Sequence, residues 1–194
     1  PRELPRRPFE LAVSFAVALP SCQPGSINDQ RCASVDSGPG LDAAVLYRVN
    51  PFFGVGVEGA FVGFGRNGGG AFSNAGNAKF FGALGRVYFA DSGLWDPYLS
   101  LTLGVGTLGT QGLHGSAQLS EGTTGFGGRI AGGVDVLLGT HLRVGPTASF
   151  AHWLAGSERR CVAGVCQSGS LVHGRLVGFA TLGLRVSASW GDGL

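Results

Sequence analysis

Large apolar residues alternate with small or charged ones along much of this chain. From Phe9 to Leu19 the odd positions are Phe9, Leu11, Val13, Phe15, Val17 and Leu19, and the even ones are Glu10, Ala12, Ser14, Ala16 and Ala18. Successive side chains of a β-strand point to opposite faces, so the pattern predicts a strand with one greasy face and one small or polar face. The same sorting recurs seven more times. A second strand is expected over Gly40 to Val49, and a third runs from Phe53 to Phe61 after the Asn50-Pro51 turn. The fourth lies near Ala78 to Phe89, the fifth over Tyr98 to Gly106 and the sixth over Phe126 to Leu138. The seventh spans Leu142 to Ala151 and the eighth Arg175 to Trp190. The prediction is an all-β chain of eight antiparallel strands.

The position of the charges decides which way such a sheet faces. Glu10, Asp42, Glu58 and Asp135, with Arg48, Arg86, Arg129, Arg143, Arg175 and Arg185, all fall on the small or polar face. The apolar face carries only Lys79, at a strand end where its ammonium can snorkel toward head groups. Soluble sandwiches and barrels bury the apolar face and put charge outside. An apolar face this wide on every strand fits contact with lipid instead, with the ionic face turned into a barrel where acids and arginines pair. A charge facing hydrocarbon at mid-depth costs about 2–4 kcal/mol, which accounts for the one-sidedness.

Composition narrows the alternatives. Gly makes up 36 of 194 residues, costly in helix interiors and without the three-residue period of collagen. A net charge of +2 with abundant apolar residues excludes a disordered chain. The arginines are spread along the sequence, so no nucleic-acid partner is expected. No apolar run reaches the 18 residues of a transmembrane helix. Arg6-Arg7 and the apolar stretch before Pro20-Ser21-Cys22 superficially match a lipoprotein signal peptide, but Glu10, Pro20 and the strict alternation count against it. The start at Pro1 rather than Met reads as a processed or trimmed form.

The connections alternate long and short. Long ones are expected over 20–39, 65–77, 108–123 and 155–170, and short ones at Asn50-Pro51, Asp91 to Pro97 and Gly139-Thr140. Aromatics collect near strand ends: Phe9, Tyr47, Phe53, Phe89, Trp95, Tyr98 and Trp190 at one rim, Phe61, Phe81, Phe126, Phe150 and Trp153 at the other. Brief turns at one end, long loops at the other and two aromatic girdles are the pattern of membrane barrels. Over Phe9 to Trp190 the chain resembles the small OmpA/OmpX-type eight-stranded outer-membrane β-barrels. Its closing segment, with Gly183, Val186 and Trp190, resembles the C-terminal signal read by the barrel-assembly machinery. The resemblance implies the outer membrane of a Gram-negative bacterium, outer-membrane lipid around a monomeric barrel, and external loops open to extracellular ligands. The domain plan is a periplasmic tail over 1–8, a barrel over 9–190 and a C-terminal tail over 191–194. Pro146, inside a strand of a closed barrel, predicts a bulge.

Candidate chemistry is sparse. His114, His141, His152 and His173 are scattered, and only His152 with Ser149 invites a catalytic reading. Neither an enzyme nor a cofactor or metal site is expected. A rigid display scaffold is the leading function; a narrow channel through an interior lightened by Gly54, Gly56, Gly82, Gly104, Gly106, Gly145 and Gly183 is the second. A soluble lipocalin-like carrier is the third. Cys22 and Cys32 fall in the first long connection and Cys161 and Cys166 in the fourth, so proximity favours a disulfide within each pair, suited to an oxidising exterior. Intact protein is therefore expected to take up alkylating agent only after reduction, read as a mass change, with the barrel surviving the treatment.

Overall fold

A computed structural model of the chain describes residues 8–22, 35–66, 75–90, 94–114, 117–162 and 164–191. It contains strands β1 (Phe9–Cys22), β2 (Val35–Asp36), β3 (Gly38–Asn50), β4 (Phe53–Arg66) and β5 (Ala75–Tyr88). Four longer strands follow: β6 (Trp95–His114), β7 (Ala117–Leu137), β8 (Leu142–Val162) and β9 (Val165–Trp190). The two-residue β2 pairs only with the end of β4, Val35 opposite Arg66. The other eight form a ring in which each strand is antiparallel to both neighbours, closed by β4 on β5 and by β1 on β9. The closing seam runs in unbroken register from Phe9 opposite Trp190 to Cys22 opposite Val177. A closed ring leaves no row of unpaired N–H and C=O groups, the condition for placing strands in hydrocarbon.

Alternation now has a direction in space. Along β3 the even positions Asp42, Ala44, Leu46 and Arg48 are buried, while Leu41, Val45, Tyr47 and Val49 are exposed. On β5, Phe80 points inward and Phe81 outward. The outer surface is an apolar belt to which Phe15, Leu103, Ile130 and Leu184 all contribute.

Several sequence expectations need correction. The connections placed over 108–123 and 155–170 are strands: β6 and β7 pair out to His114 and Ala117, and β8 and β9 out to Val162 and Val165. These hairpins extend well past the roughly 9–11 residues that cross a bilayer, and their outer parts lack the apolar face that makes a strand visible in sequence. Pro146 causes no bulge; it pairs with Leu184 in continuous register. On its other side the ladder lapses between Gly133–Thr147 and Val136–Val144 and resumes in the same register. The register shifts lie higher, between Thr124 and Gly125 on β7 and between Ala155 and Ser157 on β8. Trp153 and Tyr98 are not rim aromatics either. Both are buried inside the barrel, Trp153 at 0% exposure.

Trp153 anchors a part of the interior that is apolar rather than ionic. It meets Phe80 and Phe179 with ring centroids 6.3 and 6.1 Å away, within a cluster that includes Ala18, Val62, Phe64 and Val177. The indole fits because its neighbour is Gly106: a Cβ there would lie 2.2 Å from Trp153 Cδ2. Gly106→Val is expected to destabilise the folded barrel by about 1–3 kcal/mol, as overpacking of a filled interior does. Gly63→Ala, whose added methyl would meet nothing within 4 Å, should stay within about 0.5 kcal/mol. Denaturant titration of the refolded protein, with heated and unheated gel mobility as the fold check, measures both.

Candidate functional site

Below the apolar cluster, toward the end where β1 begins and β9 finishes, the interior is ionic. Five carboxylates (Glu10, Asp42, Glu58, Asp96, Asp135) and five guanidiniums (Arg48, Arg86, Arg129, Arg143, Arg185) line it among the described residues. Each reaches the lumen because strand parity turns it inward, opposite the exposed apolar residues on either side.

Glu10 is the hub of the lower group. Its Oε1 accepts from Arg86 Nη1 at 2.8 Å and from Arg185 Nη2, while Oε2 accepts from Arg48 Nη2 at 2.9 Å and from the Tyr88 hydroxyl at 2.9 Å. Arg48 also donates to Asp96 Oδ2 at 3.0 Å, and Arg143 Nη1 approaches the same oxygen at 3.6 Å. Arg185 Nη1 lies 3.5 Å from Asp135 Oδ2, which accepts a bond from Ser187 Oγ. Aromatic faces carry part of the cationic charge. The Arg48 guanidinium sits 3.5 Å from the centre of the Tyr88 ring, and those of Arg86 and Arg185 lie 4.6 and 4.4 Å from that of Tyr98.

The second group is centred on Arg129, which donates to Glu58 Oε1, Asp42 Oδ2 and Ser149 Oγ. Thr102 holds the other oxygen of Glu58, and Ser149 shares a hydrogen bond with Thr181. Neither group is neutral alone. The lower one sets four arginines against three acids and the upper one sets one arginine against two, so they balance only together. Between them lies a cavity of about 10 Å³ bordered by Arg86, Arg185, Asp42 and Glu58.

Other expected residues fall elsewhere. The side chain of Arg175, the side chain of Cys22 and all of Cys32 lie outside the described residues, as do 1–7 and 192–194 of the two tails. Cys161 and Cys166 form a disulfide, directly opposite each other on β8 and β9 one pair from the hairpin tip. Gly183 faces the β1–β9 seam, where a Cβ would lie 2.1 Å from the Phe15 carbonyl oxygen. Val186 is half-buried, and exposed Trp190 stacks on Phe9 with centroids 6.1 Å apart. His152 is on the outer face, against Phe150 and 3.2 Å from Ser21 Oγ, whereas Ser149 points inward. Opposite faces of one strand cannot form a catalytic pair. Asp96, Tyr88 and Tyr98 belong to the ionic interior but were absent from the sequence-derived network. Asp96 has the parity of Tyr98, Ser100 and Thr102, which would have placed it there.

A closed ring of eight antiparallel strands, apolar outside and ionic within, defines the small outer-membrane barrel fold, and this chain has it. Solved structures that share that fold include the following three. The neisserial surface protein NspA is 14% identical, with 94% of this chain and 97% of that one aligned at a TM-score of 0.60. Ail, the attachment invasion locus protein of Yersinia pestis, is 12% identical over 94% of this chain and 99% of its own, at 0.54. The outer membrane protein OprG of Pseudomonas aeruginosa is 14% identical over 94% and 96%, at 0.52. No family model and no curated protein matches the chain.

Removing one member of a buried, multiply paired ion group leaves its partners uncompensated, which costs about 3–5 kcal/mol. Glu10→Gln is expected to destabilise the barrel on that scale, since three arginines lose their common anion. Arg143→Gln should cost clearly less, because its contact with Asp96 is long at 3.6 Å and Asp96 keeps its bond from Arg48. Urea unfolding of the two refolded variants in detergent separates these values.

Proposed function

We propose that this chain is an integral barrel of the Gram-negative outer membrane, a plugged scaffold that presents its long hairpins to ligands outside the cell. The observation that carries this reading is the exposed apolar belt. Phe15 is 64% exposed, Phe126 64% and Leu182 69%, all around a barrel that keeps its described interior charges paired. In water such a belt would be an aggregation surface; in a bilayer it is the solvated face. Both termini then lie in the periplasm, and the β6–β7 and β8–β9 hairpins stand outside, the latter cross-linked near its tip by Cys161–Cys166. A ring whose strands satisfy one another needs no second copy, so the protein works as a monomer. The segment containing Gly183, Val186 and Trp190 lies on the closing strand and is the part offered to the barrel-assembly machinery.

Filling of the lumen favours the scaffold over the channel. Trp153, Phe80 and Phe179 occupy one level and the Glu10 group the next. A soluble carrier would require a polar exterior and an apolar cavity, the reverse of this arrangement. Ligand display is supported by Ail, a protein of the same fold that was crystallised with the heparin analogue sucrose octasulfate.

The belt is tested directly by Leu101→Arg, which puts a charge on the outer face where Leu101 is exposed. Stability in bilayers should fall by about 2–4 kcal/mol, while Val165→Arg near the hairpin tip should leave it unchanged. Equal effects, or a native protein that stays folded and monodisperse without detergent, would overturn the membrane reading. In planar bilayers the protein should give no steady single-channel steps, and regular steps above background would restore the channel.

A further inference from the structure

The outer face of the barrel changes character abruptly between β5 and β9. One row of register partners, Phe81, Val105, Phe126 and Leu154, is apolar and exposed. The next row outward reads Lys79, Thr107, Thr124, Ser157 and Ser170, each paired with the one before. The row beyond reads Asn77, Gly109, Gly122, Arg159 and Ser168. Within two residues the surface passes from hydrocarbon-compatible to hydroxyl-rich and cationic. The two adjoining glycines carry no side chain: the Asn77 amide leans over Gly109, 3.3 Å from where a Cβ would stand, and Gly122 leaves the floor bare between that amide and Arg159. These rows line a cleft of about 630 Å³. The one carboxylate among its described lining residues, Glu158, is paired in register with Thr123, whose parity turns both toward the lumen, away from Arg159.

We propose that this cleft binds the phosphorylated sugar head group of an outer-leaflet glycolipid, with Lys79 and Arg159 on the phosphate oxygens and the glycine floor under the sugar. The inference rests on the membrane reading above, because it needs the Phe81–Phe126 row to lie in acyl chains. Position selects a lipid over a soluble glycan: the cleft opens immediately above the apolar belt, so a ligand there has its chains beside Phe81 and Phe126. Charge selects phosphate. Lys79 is the chain's single lysine, it lies outward beside Phe61 with its Nζ 5.9 Å from the ring centre, and Arg159 is exposed on the same face. Guanidinium and ammonium groups set among hydroxyl donors are what a phosphate ester at a membrane surface recognises.

The test uses the full chain folded in detergent and in vesicles, with three probes: diphosphoryl lipid A, the same lipid stripped of both phosphates, and soluble sucrose octasulfate. Native mass spectrometry should show the diphosphoryl lipid retained in preference to the other two. The double variant Lys79→Gln/Arg159→Gln should weaken that retention about tenfold or more. Gly122→Leu should weaken it similarly with both cations kept, because its Cβ enters open space in the floor, 3.9 Å from the nearest atom. Arg160→Gln, one residue along and bridged to Glu121 at 3.2 Å, should leave it unchanged. Retention indifferent to phosphate or to these variants, in a protein that still inserts into vesicles, overturns the lipid site and leaves the membrane reading standing. Preferential binding of sucrose octasulfate through the same residues also overturns it, assigning the cleft to soluble polyanions. Failure to insert into vesicles overturns both readings.

Discussion

An ion is tolerated in hydrocarbon only when something else neutralises and solvates it, and this single intolerance organises the barrel. It requires each membrane-crossing strand to be two-faced, with ionic side chains at one parity and greasy ones at the other. It also requires the ring to close, because an unpaired peptide edge in lipid is penalised on the same grounds. Once closed, the interior has to hold all the charge the outside refuses. That interior is too narrow for water to serve as general solvent, so the side chains solvate one another. Glu10, held by three arginines and a tyrosine hydroxyl, is the clearest case.

The interior is divided by depth. The level nearest the start of β1 and the end of β9 is ionic, and the level nearest the long hairpins is an apolar cluster around Trp153. The division has an energetic logic. Charges crowded together share donors and acceptors, whereas charges scattered among aromatics would each be desolvated alone. Glycines make the large residues possible: a Cβ at Gly106 would collide with Trp153, and one at Gly133 would lie 2.7 Å from the Tyr98 hydroxyl. At these two positions the missing Cβ makes room for a large side chain opposite.

Strand parity was legible in the sequence because lipid imposes contrast on it. Where that contrast ends, legibility ends too. Residues 108–123 read as a loop because Thr, Gly and Gln on both faces of a hairpin in water carry no period, although the backbone ladder continues to His114. Trp153 misled for a related reason: an aromatic near a strand end fits the rim by composition, and only its parity, shared with Ala151 and Ala155, points inward. Pro146 was over-read, since its missing N–H needs only a local lapse of the ladder rather than a shift of register. For the ionic interior, alternation assigns a face to Arg129 or Glu10 but gives no partners. Which arginine meets which acid depends on stagger between strands far apart in the chain, such as the 175 residues separating Glu10 from Arg185.

That long separation bears on how the molecule is made. Glu10 enters with the first strand and Arg185 arrives with the last, so the third of the arginines on this carboxylate is in place only when β9 pairs with β1. Completion of the seam and completion of the hub are thus one event. A seam joined in a slipped register would instead bury Arg185 away from Glu10, an unpaired charge that the right alignment removes.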